Sequence, residues 1–166
     1  MKMDSLFEKE LHLEQLWPLM EEYLKAGKTV KFSPKGVSML PMLRQGKDKV
    51  ELSPLPSKLK KYDLPVYQYP SGKYVMHRVV DVKDDYYICN GDNLLQMETV
   101  YPHQLIAVVS AFTRNGKRIE VTNPLYMMYC RFWCGIRPFR HFLKKIRVLL
   151  SNTKRKVATL INRKKR

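Results

Sequence analysis

Between residues 28 and 122 the chain is cut by turn formers into short runs too brief and too β-branched for helices. The β-prone runs are Thr29–Phe32, Lys49–Leu52, Leu64–Tyr69, Tyr74–Val82, Tyr86–Cys89, Leu105–Thr113 and Lys117–Val121. Between them lie Ser33-Pro34, Arg44-Gln45-Gly46, Pro54 to Pro56, Pro70-Ser71-Gly72, Asn90-Gly91-Asp92 and Asn115-Gly116. Glycine supplies positive φ, proline fixes φ, and Asn or Asp bonds its own backbone, so each cluster turns the chain rather than extending it. Seven strands with no helix between them predict a mostly antiparallel β domain in an α+β fold. Hydrophobic residues at 45% of 166 are enough to fill a core.

The flanks follow a different period. Leu13, Leu16, Trp17, Met20 and Leu24 share helical spacing, which predicts a helix over 4–26 that Pro18 should split or kink and Gly27 should stop. Beyond the β domain, Leu125, Tyr129, Phe132, Ile136, Phe139, Leu143, Ile146 and Leu150 recur at alternating steps of four and three, an apolar seam at helical period. Gly135 and Pro138 predict a kink near its middle. The expected organisation is a helical segment at 1–27, a β domain at 28–122 and a basic amphipathic helical tail at 123–166.

Charge is distributed as unevenly as hydropathy. The net charge is +16, yet residues 1–28 carry four basic residues against six acids, while residues 124–166 carry 13 Lys or Arg and no acid. Arg131, Arg137, Arg140, Lys144, Lys145 and Arg147 fall off the apolar seam, so this region needs an anionic partner. Two readings compete: an interfacial helix on an anionic membrane surface, or a seam whose first half packs on the β domain. Nucleic-acid binding ranks third, because no groove-reading motif accompanies the charge and no specific recognition is expected.

Several classes fall away. No window of 18 uncharged apolar residues exists, which argues against a spanning helix. Glu8, Glu10 and Glu14 interrupt the N-terminal region, which therefore does not read as a secretory signal. Cys89, Cys130 and Cys134 are odd in number and sparse, as suits a reducing compartment, and the expected location is cytoplasmic. Cys130 and Cys134 are one helical turn apart and read as packing residues, so neither a metal site nor a cofactor is expected.

Three segments carry chemistry. Gly36-Val37-Ser38-Met39-Leu40-Pro41 places a serine between a residue that permits close backbone approach and one that fixes the loop. Tyr74 to Val80 holds His77 at the centre of a β run. Asn90-Gly91-Asp92-Asn93 is an acidic turn, with Glu98 six residues beyond Asp92. A serine hydroxyl becomes nucleophilic when a base takes its proton; imidazole is the usual base, and a carboxylate fixes its tautomer. On spacing alone these parts are also what structural residues look like, with Ser38 a loop serine, His77 a strand histidine and Asp92 a turn former. Arg78 reads as an ion-pair or fold residue and Asp63 as a loop-backbone acceptor.

Read in order, the segments resemble the LexA/signal peptidase superfamily of serine peptidases over about residues 28–113. Gly36 to Pro41 is similar to its Ser-Met-x-Pro nucleophile box. Lys61-Tyr62-Asp63-Leu64 is similar to its Gly-Asp-hydrophobic strand entry, with Tyr62 where glycine is usual. Tyr74 to Val80 resembles the general-base box, and Gly91-Asp92-Asn93 resembles the Gly-Asp-Asn box. His77-Arg78-Val79 looks like the histidine-type members, the archaeal, sporulation-associated and endoplasmic-reticulum signal peptidases.

The resemblance implies a LexA/signal peptidase-like fold and a serine endopeptidase acting through an acyl-enzyme. Ser38 would be the nucleophile and His77 the base, with Asp92 or Glu98 as third group, Asp92 preferred for its residue type. The Ser38 backbone N–H would donate to the oxyanion; Gly36 stands where some members add a serine hydroxyl, and Met39 is adjacent to the nucleophile, where members line their substrate pocket. The partner would be a peptide or protein precursor. No spanning anchor precedes the Ser box, which places the expected site on the cytoplasmic side. The competing class is an inactive binding module that keeps this fold and uses its basic tail as an adaptor on anionic membrane or nucleic acid.

Overall fold

The computed structural model describes residues 13–140, 142, 143 and 146, and these form a mostly antiparallel β structure with a few helices. Helix α1 (Leu13–Lys25) is followed by β1 (Val30–Phe32), β2 (Lys49–Ser53), β3 (Pro65–Gln68), β4 (Tyr74–Met76), β5 (Arg78–Val82), β6 (Tyr87–Asn90) and β7 (Glu98–Val100). A single 3-10 turn at Pro102–Gln104 leads into the long strand β8 (Leu105–Arg114), then β9 (Lys117–Glu120) and helix α2 (Pro124–Gly135).

Helix α1 runs through Pro18 without the split that was one of the two expected outcomes there. It ends as expected at Gly27, which adopts φ +72. There Lys28 N–H donates to the Tyr23 carbonyl and Gly27 N–H to that of Leu24, a Schellman closure that satisfies carbonyls the helix leaves open. Its buried face, Trp17, Met20 and Leu24, packs into the main core, each side chain contributing about 1.5–3 kcal/mol. The part of the expected helix at 4–12 lies outside the described residues.

The strands form two sheets. One has the order β1-β2-β8-β3-β4, with β9 also paired to β8. The other is the meander β5-β6-β7. Every pairing is antiparallel, as short turn-linked strands require. The main core gathers Val30, Val50, Leu52, Leu64, Val66, Val109 and Phe112 with α1, Met39, Met42 and Leu43. A second core of Leu59, Tyr67, Val79, Tyr87, Cys89 and Val100 draws on both sheets.

Two differences from the sequence expectation matter for the site. The run Tyr74–Val82 is not one strand: it breaks at His77, with β4 on the first sheet and β5 on the second. Strand β7, which begins with Glu98, lies in a segment without clear alternation and was not expected.

Helix α2 starts where Asn123 accepts hydrogen bonds from Leu125 N–H (2.9 Å) and Tyr126 N–H (3.2 Å), with Pro124 in the first turn. Of the apolar seam, Tyr129 is half-buried against the core. Tyr126 and Cys130 enter the core, whereas Leu125 is 72% and Phe132 62% exposed. A second compact unit begins at Phe132. In it, Arg140 lies over the Trp133 ring at 3.6 Å and donates to the Trp133 carbonyl at 3.0 Å. Residues 137–140 are helical. Lys144, Lys145, Arg147 and Leu150, also expected on this helix, lie outside the described residues. No helix among the described residues is long and apolar enough to cross a membrane.

Candidate active site

Ser38 sits in the turn-rich segment between β1 and β2, partly exposed. The segment is held from both ends. Gly36 takes a left-handed φ of +97, and its N–H donates to Gln45 Oε1 at 2.7 Å. On the other side of Ser38, Met39, Met42 and Leu43 are buried in the main core. Met39 therefore serves as an anchor beneath the loop and not, as the resemblance implied, as a residue lining a surface pocket.

The Gly91-Asp92-Asn93 turn grips the same loop. Asn93 N–H donates to the Ser38 carbonyl at 2.7 Å, and Asn93 Nδ2 donates to the Val37 carbonyl at 3.1 Å. A side chain at position 91 would put its Cβ 2.9 Å from the Ser38 carbonyl oxygen and 2.9 Å from Leu94, closer than real Cβ contacts allow. Glycine at 91 is thus a condition for the serine loop to sit where it does. Across the second sheet Arg78 pairs with Asn90. Among the described residues no hydrogen bond joins the Ser38 hydroxyl to the His77 imidazole; the Gly91-Asp92-Asn93 turn, which follows the β6 strand paired with β5, is what bonds the serine loop.

His77 is almost fully buried, and its Nδ1 lies 3.0 Å from Tyr67 Oη and 3.0 Å from Glu98 Oε2. Tyr67 in turn donates its hydroxyl hydrogen to Glu98 Oε2. The proton inventory then fixes the tautomer. Burial pushes the Glu98 carboxyl up, but hydrogen bonds from Tyr67 and Tyr69 and the nearby imidazole outweigh it, and its pKa is lowered overall. As an ionised carboxylate Glu98 only accepts, and the one hydrogen of Tyr67 is spent on Glu98. Burial, reinforced by Glu98, raises the Tyr67 phenol far above its usual range, so it remains a neutral donor. Both oxygens facing Nδ1 are acceptors, and Nδ1 must carry the hydrogen. Neutral His77 is therefore the Nδ1–H form, whose basic lone pair is on Nε2.

Asp92, preferred on sequence as the third group, is engaged elsewhere. Arg78, fully buried, donates to it through Nε (2.8 Å) and Nη2 (2.7 Å), a bidentate pair. The same guanidinium reaches Tyr126 Oη (2.8 Å), Cys130 Sγ (3.0 Å), Met42 Sδ (2.8 Å) and the Tyr62 carbonyl (3.3 Å). Burial by itself pulls the Arg78 pKa down, and the Asp92 carboxylate reverses this, so the group stays charged. Arg78 is thus a fold residue, as its place in the sequence suggested. It joins the serine loop, the Asp92 turn and helix α2 at one buried point.

Asp63 also takes the expected part: its carboxylate accepts Lys60 N–H at 2.7 Å. Tyr62 beside it adopts φ 82, the left-handed region that favours glycine. The Tyr62 N–H and Asp63 carbonyl bond the two backbone groups of Val79, at 2.8 and 2.9 Å, which ties this turn to β5. Sequence reasoning missed Tyr67 and Tyr69. The alternation Tyr67-Gln68-Tyr69 in a β run ten residues before a histidine is the signal that pointed to them.

A shallow depression of about 460 Å³ over the β3–β4 turn, lined by Gln68, Ser71, Gly72, Lys73 and Tyr74, includes none of these groups. No cluster of His, Cys, Asp or Glu able to hold a metal occurs among the described residues. Neither a protein-family model nor a curated protein matches the chain.

Proposed function

We propose that this protein is a serine endopeptidase of the LexA/signal peptidase type, histidine class, with Ser38 as nucleophile and His77 as general base. The observation that carries the reading is His77 Nδ1 at 3.0 Å from both Glu98 and Tyr67, in a structure whose Gly91-Asp92-Asn93 turn also grips the Ser38 loop. This is the arrangement a serine hydroxyl needs in order to react at neutral pH: a base with its lone pair on the outer nitrogen and a carboxylate behind it. Glu98 takes the orienting role in this reading, and Asp92 the structural one.

The Ser38 hydroxyl oxygen forms a bond to the substrate carbonyl carbon while its proton passes to His77 Nε2. The carbonyl electron pair moves onto oxygen, where the Ser38 backbone N–H donates to the developing charge. The intermediate collapses, the C–N bond breaks, and Nε2 returns the proton to the leaving amine. Water then attacks the acyl-enzyme by the same path and releases the new carboxylate. The substrate is a peptide or protein precursor met on the cytoplasmic side, and no metal or cofactor enters any step.

Purified full-length protein should generate new N-termini in a complex peptide library read by mass spectrometry. Ser38→Ala and His77→Ala should each lower that cleavage by at least about 10³-fold while leaving the far-ultraviolet circular dichroism unchanged. An acyl adduct should map to Ser38 in the wild type. Cleavage that survives Ser38→Ala overturns the mechanism, and no cleavage by the wild type favours the adaptor class.

A further inference from the structure

Helix α2 is apolar on two sides. Tyr126 and Cys130, four residues apart, are buried in the core, and about 150° around the same helix Leu125 (72% exposed) and Met128 (63%) face solvent. The second unit continues the pattern by itself. Phe132, Phe139, Leu143 and Ile146 are exposed and spaced by seven, four and three residues, the repeat of one helix face. Monomeric proteins rarely leave a row of this kind uncovered.

The charge of the same region selects what covers it. Residues 124–166 contain 13 Lys or Arg and no Asp or Glu. A second copy of the chain would bring +13 against +13, which opposes pairing. A duplex nucleic acid would meet the cations but leave the aliphatic members of the row, Leu143 and Ile146, uncovered. An anionic bilayer accepts both, with apolar side chains at the acyl boundary and cations at the headgroups. Arg140 stacked on Trp133 joins the two chemistries in one contact, an indole and a guanidinium of the kind found at membrane–water interfaces.

We infer that the exposed apolar row of the second unit, Phe132, Phe139, Leu143 and Ile146, is a membrane-docking surface that selects anionic phospholipid. It rests on the exposed apolar row and the acid-free run of cations, and does not depend on the peptidase reading. Each basic residue at the surface of an anionic leaflet contributes about fivefold in affinity.

The full-length protein should co-sediment with vesicles of phosphatidylcholine and phosphatidylglycerol at 7:3 and bind pure phosphatidylcholine at least about tenfold more weakly. Binding should weaken as salt rises. Trp133 emission should shift to the blue on binding; Trp17 is already buried, and Trp133→Phe should remove the shift but not the sedimentation. The double variant Phe132→Ser/Phe139→Ser should lose vesicle binding. Arg131→Gln/Arg137→Gln/Arg140→Gln should reduce it up to about a hundredfold. Ser38→Ala should bind as wild type, which separates this test from that of the peptidase reading. The inference is overturned if anionic vesicles do not bind, if the double serine variant binds undiminished, if a duplex DNA competes the vesicles off, or if the double serine variant merely dissociates a dimer.

Discussion

His77 and Arg78 are neighbours in the chain, and each faces its own carboxylate, yet the two pairs are opposites. Arg78 and Asp92 are sealed at the point where the serine loop, the Gly91–Asn93 turn and α2 meet, with every direction of the guanidinium occupied. His77 uses one ring nitrogen on Glu98 and Tyr67 and keeps its base character on the other. His77 lies at the break between β4 and β5 and Arg78 opens β5, so one dipeptide sends its two side chains to different carboxylates. The comparison teaches that two acid–base pairs of similar length can differ in what they leave open: the guanidinium of Arg78 has every nitrogen engaged, whereas the pairing of His77 uses Nδ1 alone.

The strongest way to break this comparison is to neutralise the two carboxylates separately. Glu98→Gln should lower peptide cleavage by about 10³–10⁴-fold, because an amide no longer enforces the Nδ1–H tautomer, with only a small drop in its unfolding midpoint. Asp92→Asn should lower the unfolding midpoint and leave the activity of the folded fraction largely intact. Equal activity losses in stability-matched assays would show that the roles are not divided.

Arg78→Met comes next. It leaves the Asp92 carboxylate buried without its partner and should cost about 3–5 kcal/mol in urea unfolding. The double variant Arg78→Met/Asp92→Leu should recover much of that loss, since removing both charges is far less costly than stranding one. A double variant no more stable than Arg78→Met would mean that the guanidinium's other bonds, to Tyr126, Cys130 and Tyr62, dominate.

The smallest effect is a pH dependence belonging to one pair. The Glu98 pKa is lowered in the folded state, so its ionised form favours folding. That contribution is complete above the ordinary glutamate range near 4.3 and is lost as pH falls through the lower folded-state value. Glu98→Gln should therefore flatten the decline of unfolding free energy between about pH 5 and pH 3. Part of the slope should remain, because Arg44 beside Asp48 and Arg118 beside Glu51 lower those carboxyls as well.

Much of the β architecture was legible because its punctuation is chemical. Asn115-Gly116, Pro70-Ser71-Gly72 and Arg44-Gln45-Gly46 turn the chain where the structure turns, and Gly27 closes α1 as its position announced. The break at His77 was not legible, since no glycine or proline marks it and Tyr74–Val82 alternates smoothly through it. Strand β7 escaped because three residues are too few to display a period, and with it went the evidence for choosing Glu98. Asp92 looked the better candidate by residue type; that its carboxylate is consumed by Arg78 depends on the burial of a guanidinium, which local sequence does not encode. That the inward face of α2 stayed open on sequence has a simpler cause. Leu125 and Phe132 are as apolar as Tyr126 and Cys130, so a hydrophobic stripe alone could not say which side turns inward.

The imidazole lies on the one residue between β4 and β5, and its two partners arrive from different layers: Tyr67 with the larger sheet, Glu98 with the meander. A half-built molecule, in which only one layer has formed, lacks one of the two oxygens that set the ring. Glu98 also emerges from the ribosome 21 positions after the histidine it orients, and the central strand β8 later still. Under the proposed peptidase mechanism the base would thus be oriented only after β7 has joined the meander, a safeguard for a hydrolase synthesised among the polypeptides it could cut.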